Sequence, residues 1–313
     1  MSINKVQFQK GLSMDGFLEK FGLEKQCLEY IENAKFKNGY KCHKCGSLNY
    51  YIVWHGTKKT FQCKNCGTQT TLTSGTIFQN TKLPIKIWFQ AMFFITQSKN
   101  NISALELKRL LGICYRSAWR LKHKIIQSML ERENKRILEG IVQLDDAYLG
   151  GRNSGGKAGR GSENKIPFLA AVETDNSGNP RHAIYSIVDS FNKNSLKKWS
   201  EKKLAKNTTV ITDGLFCFNA LAETGVKHTK TVVGTNRKSS DLKCFKWVNI
   251  ILSNLKTAIS GTYHSIKIGK YASRYLAEFQ YRFNRRFNMD NMVDRLAYAL
   301  IQTKPRPENW LRM

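Results

Sequence analysis

Residues 141–151 read IVQLDDAYLGG, and the fold of the longer part of the chain turns on how this stretch is read. Val142, Leu144, Tyr148 and Leu149 set an apolar β-pattern that two carboxylates, Asp145 and Asp146, interrupt. A carboxylate inside a strand is costly unless it is paired or holds a metal ion. Strand alternation points the two acids to opposite faces, so one is expected in a site and the other against a structural partner. Further strands follow, IPFLAAVET (166–174) and RHAIYSIVDS (181–190), then a helix over 195–204 and the strand TTVITD (208–213). Its last residue, Asp213, repeats the theme of an acid at a strand end, just before Gly214. Open α/β sheets carry functional groups there, although a strand-end Asp is also an ordinary turn residue. Three strands, a helix, a further strand and then helices, notably 271–286, predict a mixed sheet flanked by helices.

Upstream the character differs. Cys42-x2-Cys45 and Cys63-x2-Cys66 are separated by 17 residues, the spacing of a tetrahedral four-cysteine zinc site. Gly46 and Gly67 follow the second cysteine of each pair and suit a tight knuckle. One structural Zn²⁺ is therefore expected, in a small ribbon that depends on it to fold. Lys41, Lys44, Lys58, Lys59 and Lys64 favour DNA as its partner, with a second protomer the other option. A helical leader over 14–35 precedes the ribbon, and a helix from Pro84 follows it. Ser103 with Glu106 reads as a capping box, and Gly112 ends that helix before another begins near Tyr115. The pair has a helix-turn-helix pattern whose second helix carries Arg116, Arg120, Lys122, His123 and Lys124 on and around its exposed face. A structural hairpin with solvated charges is the alternative.

The chain has 51 Lys and Arg against 23 Asp and Glu, a net charge of +28, which implies a polyanionic partner. Interleaving with aromatics favours nucleic acid over a membrane surface, and no run of 18 apolar residues exists. MSINKVQFQK lacks the apolar core of a signal peptide, so a cytoplasmic, nucleoid-associated protein with reduced thiols is expected.

Asn249 follows Asp213 after 35 residues, and Lys256 lies seven positions further, two helical turns on and on the same face. This combination resembles the D-D-(35)-E…K pattern of ribonuclease-H-like transposases and integrases, with Asn in place of Glu. QLDDAYLGGR resembles the D-E-x-Y-x-G-G motif of bacterial insertion-sequence transposases with an ISXO-like catalytic domain. FQCKNCGTQTTLTSGTIFQNTKLPIKIWFQAM is similar to their zinc ribbon and its exit, and WVNIILSNLKTAISGTYHSI and YLAEFQYRFNRR to the stretches holding the third ligand and the closing helix. The resemblance covers nearly the whole chain. It implies a DNA transposase that binds the terminal repeats of its element and carries out metal-dependent strand cleavage and transfer. It assigns Asp145, Asp213 and Asn249 as ligands of two catalytic Mg²⁺ ions, with Mn²⁺ able to substitute, and Lys256 as a basic residue near the DNA. In that family the third position is Glu, Asn or His. The departure is Asp146, where Glu is commoner, and no direct metal role is assigned to it. Asn254 is a rival third ligand, but its spacing from Lys256 is wrong.

The resulting expectation is an α+β and α/β multidomain chain: helical leader (1–35), zinc ribbon (36–80), helix-turn-helix region (81–136), ribonuclease-H-like catalytic domain (137–303) and tail (304–313). A homodimer or higher oligomer on double-stranded DNA, element ends and target, is implied by the family, because two ends must be brought together. Residues 151–157 match the start of a P-loop, but Ala158 supplies no hydroxyl for a metal, so a hairpin tip that contacts phosphate through Arg152, Lys157 and Arg160 is expected instead. Tyr275, Phe279 and Phe283 form a core stripe, with Arg282, Arg285 and Arg286 on the neighbouring face as candidate backbone contacts. The expected DNA contacts are thus Arg116, Arg120, Lys124, Arg152, Lys157, Arg160, Lys256 and Arg282. A catalytically silent repressor derived from a transposase, or a nuclease of the same fold without joining activity, are the competing readings.

Overall fold

The computed structural model describes residues 10–150, 165–231, 242–263 and 268–313. Its contacts divide the chain into two units, Met1–Ser128 with Phe287–Met313, and Met129–Arg286.

In the first unit, Ser13 accepts a hydrogen bond from the Gly16 amide (3.1 Å) and starts α1 (Met14–Phe21). The expected single leader helix is broken at Leu23, which is extended, and restarts as α2 (Glu24–Lys35). The Leu23 amide there donates to Gln26 Oε1 at 2.8 Å, so the new helix gains a cap in place of an unsatisfied N–H. The zinc-ribbon strands β1 (Tyr50–His55), β2 (Lys58–Cys63) and β3 (Gln69–Thr71) form an antiparallel sheet in that order. Next come α3 (Ile85–Gln97), α4 (Ala104–Leu111) and the start of α5 (Tyr115–Glu133). Phe17 meets Phe93 and Phe21 meets Phe89, each at 4.7 Å between ring centroids, which ties α1 to α3 through aromatic packing.

Two C-terminal helices, α9 (Met292–Gln302) and α10 (Glu308–Leu311), complete this unit. The sequence reading placed residues up to 303 with the catalytic block. In the structure Tyr30 donates to the Asp294 carbonyl (2.8 Å) and Gln97 to the Met289 carbonyl (3.1 Å). The apolar face of α9, including Val293, Leu296, Ala297 and Leu300, is buried alongside α2 and α3.

The second unit is built on five strands: β4 (Ile141–Leu149), β5 (Ile166–Thr174), β6 (Pro180–Ile187), β7 (Thr209–Thr212) and β8 (Lys227–Lys230), ordered β6-β5-β4-β7-β8. The β6-β5-β4 pairings are antiparallel and β4-β7-β8 parallel. Strand β5 is buried from Phe168 to Thr174, the near-continuous apolar run of a strand covered on both faces. One face carries Val142, Leu144, Leu169 and Ala171 against α6 (Lys193–Lys203) and a 3-10 helix (Phe216–Thr224). The other carries Phe168, Ala170 and Val172 against α7 (Lys246–Ser260) and α8 (Ile268–Phe283). This helix-covered mixed sheet is the ribonuclease-H-like arrangement, as expected. The fifth strand, β8, was not expected: KHTK is exposed apart from the half-buried His228 and carries no apolar alternation.

Strand β6 is an edge, and α8 with the residues just past it satisfies its backbone. Asn284 accepts from the Ala183 amide (2.7 Å) and donates to its carbonyl (2.9 Å), and Gln280 accepts from the Tyr185 amide (3.0 Å). Arg286 donates to the carbonyls of Arg181 (3.1 Å) and Pro180. Gln280, Asn284 and Arg285 also donate to the buried carboxylate of Glu133 at the end of α5. One network thus fixes α8 to both the sheet edge and α5.

Candidate metal centres

The two cysteine pairs fold into matching knuckles. The Gly46 amide donates to the Cys42 carbonyl (2.9 Å) and the Gly67 amide to the Cys63 carbonyl (3.0 Å), both glycines lying in the left-handed region. In the same way Cys42 and Cys63 donate to the carbonyls of Ser47 (2.9 Å) and Thr68 (3.0 Å). The four sulfurs lie within 4.8 Å of one another, with Cys42–Cys66 at 3.6 Å and Cys45–Cys63 at 3.5 Å. Tetrahedral zinc with Zn–S bonds of about 2.3 Å needs sulfurs roughly 3.8 Å apart, so the cluster has the right size. The Thr68 hydroxyl and amide lower the Cys66 thiol to about 6, toward the thiolate that binds metal.

The acidic cluster forms where β4 and β7 part. Their parallel ladder ends at Gln143 opposite Ile211. Asp145 and Asp213 stand two residues beyond these partners, at matching positions and on one face. Asp145 Oδ1 accepts from the Asp146 amide (2.9 Å) and Asp213 Oδ1 from the Leu215 amide (3.1 Å), which orients each carboxylate. Gly214 must be glycine, because its φ of +88° is left-handed and a Cβ would collide with the Lys230 side chain. That lysine lies against the residue following Asp213, and sequence reasoning missed it because β8 itself went unrecognised.

Asp146 departs from expectation. Alternation sent it to the opposite face, but the oxygens of Asp145, Asp146 and Asp213 all lie within 4.8 Å of one another. Both residues remain paired with β5, opposite Ala170 and Leu169, so it is the carboxylate ends that converge and not the backbone positions. Asp145 and Asp146 line an open cleft of about 440 Å³ with Ala147, Tyr148, Asn249, Leu252, Ser253 and Lys256. Helix α7 supplies the far wall, its buried stripe of Val248, Ile251, Leu252 and Leu255 lying on the sheet and Asn249 and Lys256 flanking it. Among the described residues Asn249 Nδ2 is buried without a hydrogen-bond partner, an orphaned polar group. Asn254 is exposed and does not line the cleft.

The remaining expected contacts divide. Arg116 and Arg120 are exposed on α5, though both pair with Glu308 (3.2 and 3.4 Å). Ser103 caps α4 by accepting from the Glu106 amide (3.0 Å), and Gly112 ends it in the left-handed region, as the turn requires. The basic row on α5 is shorter than expected. Lys122 and His123 are buried, Lys122 donating to the Ile102 carbonyl. Lys124 is half-buried, donates to the Ile77 carbonyl (3.0 Å) and lies over Trp88, so its charge serves packing. Arg282 is corrected too: it is 8% exposed, beside Glu278 and Tyr263, because α8 turns that face into the protein. Phe279 and Phe283 join the core as expected. Arg152, Lys157 and Arg160 lie outside the described residues.

Comparison with known proteins follows the same division. Residues 137–284 match the ISXO2-like transposase domain, and residues 22–69 the transposase zinc-ribbon domain. The Met129–Arg286 unit thus carries an ISXO2-like transposase domain. It is 23% identical over 223 residues to an uncharacterized protein in transposable element ISH50 of Halobacterium salinarum, covering 66% of this chain and 72% of that one. Among solved structures it is similar to the Mos1 strand transfer complex (11% identity, TM-score 0.27, 70% of this chain and 78% of that one). A Mos1 mariner paired end complex with Mn is similar at 11% identity and TM-score 0.26, covering 72% and 88%. All four cysteines of the cluster lie within the residues that match the transposase zinc-ribbon domain, which supports zinc as their metal. Among the described residues no helix is long and apolar enough to cross a membrane.

Proposed function

We propose that this chain is a DNA transposase that binds the ends of its element and cuts and joins DNA strands at the cleft between β4, β7 and α7. The observation that carries the reading is the gathering of Asp145 and Asp146, midway along β4, with Asp213, just past β7, while Asn249 with its orphaned amide lines the same cleft as the first two, in a domain that matches the ISXO2-like transposases. The donors are all oxygen if Asn249 turns its carbonyl inward, which suits Mg²⁺ or Mn²⁺ and not a soft metal. Bound there, such ions supply Lewis acidity to a phosphodiester and to the attacking water or 3′-hydroxyl.

The protein's own groups do the rest. Asp145 and Asp213, each held by a backbone amide, would hold the ions together with Asn249 from α7. Asn249 brings no charge, and Asp146 supplies the third carboxylate that the position lacks. Lys256, exposed on the same wall, contacts the phosphate backbone. The first unit binds DNA as well: residues 33–105 contain ten lysines and no Asp or Glu, and Arg116 and Arg120 add to that field.

The test is a strand-transfer assay with terminal-repeat DNA, a target plasmid and Mg²⁺. Joined product is expected from the native chain, none from Asp145→Ala or Asp213→Ala, and less from Asn249→Ala than from Asn249→Glu. Cleavage without joining points to a nuclease. End binding with no metal-dependent product in any variant refutes the enzyme reading.

A further inference from the structure

The start of α7 is held by a residue a hundred positions away. The first N–H groups of a helix have no partner within it, and a side-chain acceptor normally reaches the second or third helical residue from the cap position. Here the cap residue is Phe245, which offers no side-chain acceptor. Its place is taken by Gln143 on β4, whose Oε1 accepts from the amides of Trp247 (2.9 Å) and Val248 (3.1 Å). These are the two residues immediately before Asn249. Gln143 is itself 5% exposed in the middle of the strand, between the buried Val142 and Leu144.

Gln143 and Asp145 are two residues apart on one strand, so they share a face about 7 Å apart. The same short segment therefore carries the first acid of the cleft and the clamp on the helix that brings Asn249 to it. A second bolt acts from the other side: the Trp247 indole donates to the Gly178 carbonyl (2.5 Å) in the turn between β5 and β6. Together the two contacts tie the first turn of α7 to β4 and to the turn between β5 and β6.

We propose that Gln143 is a positioning residue for the catalytic cleft, setting through α7 where Asn249 stands over Asp145 and Asp213. It touches neither substrate nor metal. The proposal rests on the metal-site reading given above, and its test separates the two. Zinc-loaded full-length protein is titrated with Mn²⁺, free ion being read by electron paramagnetic resonance, with Asp145→Ala as the control for the cleft.

Gln143→Met keeps the bulk and removes the acceptor. Groups that orient metal ligands typically change affinity 10–100-fold when lost, so a weakening of about tenfold or more is expected. Gln143→Glu, which still accepts from both amides, should bind Mn²⁺ nearly as the native chain does. In an Asn249→Ala background Gln143→Met should weaken binding by less than about twofold further, because the group it positions is gone. If Gln143→Met does not fold, Gln143→Asn retracts the acceptor by one methylene, and the same loss is expected from it.

A lowered melting temperature with unchanged Mn²⁺ affinity overturns the proposal and leaves Gln143 as a helix cap alone. So does a loss fully additive with Asn249→Ala. Mn²⁺ affinity unaltered by Asp145→Ala overturns the metal-site reading itself, and the proposal with it.

Discussion

Replacing Glu133 by Gln changes almost no volume, yet the structure assigns it a large penalty. Glu133 is 2% exposed and accepts from Arg285 Nη1 (2.5 Å), Asn284 Nδ2 (2.7 Å) and Gln280 Nε2 (3.2 Å), with Arg136 Nε at 3.4 Å. Among the described residues Arg285, 8% exposed, then keeps the Tyr281 carbonyl (3.0 Å) and the Tyr281 ring beneath its guanidinium, neither of which carries a charge. The substitution leaves this cation buried without its counter-charge, which costs about 3–5 kcal/mol. For a unit of this size each kcal/mol moves the melting temperature by about 2–4 °C, so a drop on the order of 10 °C is expected for the Met129–Arg286 unit. Differential scanning calorimetry of the zinc-loaded chain reads it directly. Replacing the pair together, Glu133→Leu with Arg285→Met, should recover most of the loss, since a buried pair is worth little over an apolar substitute. A change under about 1 kcal/mol in Glu133→Gln, the range of an exposed pair, would falsify the argument.

Three further outcomes follow from the same structure. Cys63→Ser, or a strong chelator, should release about one zinc per chain by elemental analysis and expose the β1–β3 backbone to hydrogen exchange, because metal binding supplies the folding energy of such ribbons; retained protection would contradict it. Asn284→Ala should lose about 1–3 kcal/mol and raise concentration-dependent light scattering, because the Ala183 amide and carbonyl lose their partners at the sheet edge; unchanged scattering and stability would show the edge protected by other means. Burial alone would raise the Glu133 carboxyl, but the charges of Arg285 and Arg136 outweigh it and hold it below its usual 4.5. A depressed folded value contributes stability above the unfolded one and loses it as pH falls through the folded one. Denaturant titrations should therefore show the Met129–Arg286 unit steady near neutrality and weakening below about pH 4.5, with a shallower acid limb in Glu133→Gln.

The sheet was legible because its inner strands are written in apolar residues, IPFLAAVET above all. Strand β8 was not legible, since an edge parallel strand with three exposed residues leaves no pattern. The cysteine knuckles were readable from spacing alone, because the chemistry fixes it. Asp213 was readable as a strand-end acid and Asp145 as an acid set inside an apolar strand, but Asp146 was misplaced because alternation fixes how a side chain leaves the backbone and not where its carboxylate ends. Lys124 and Arg282 failed for a common reason. Charge and helical phase mark a surface only until tertiary carbonyls and acids draw a long basic side chain inward. Gln143 left one mark, a polar residue between Val142 and Leu144; what it binds lies a hundred residues downstream.

The two borders of the five-stranded sheet are unlike. On β6 the backbone groups that could recruit another strand are occupied by Asn284, Gln280 and Arg286. On β8 the border carries Lys227 and Lys230, both exposed, and like charges there repel a second copy of itself. A chain of net charge +28 is thus guarded against sheet-to-sheet polymerisation twice over, by occupancy at one border and by repulsion at the other. The second guard weakens wherever DNA neutralises the lysines. Crowded transposase on DNA should therefore stay dispersed only while the first guard, the α8 network, is intact.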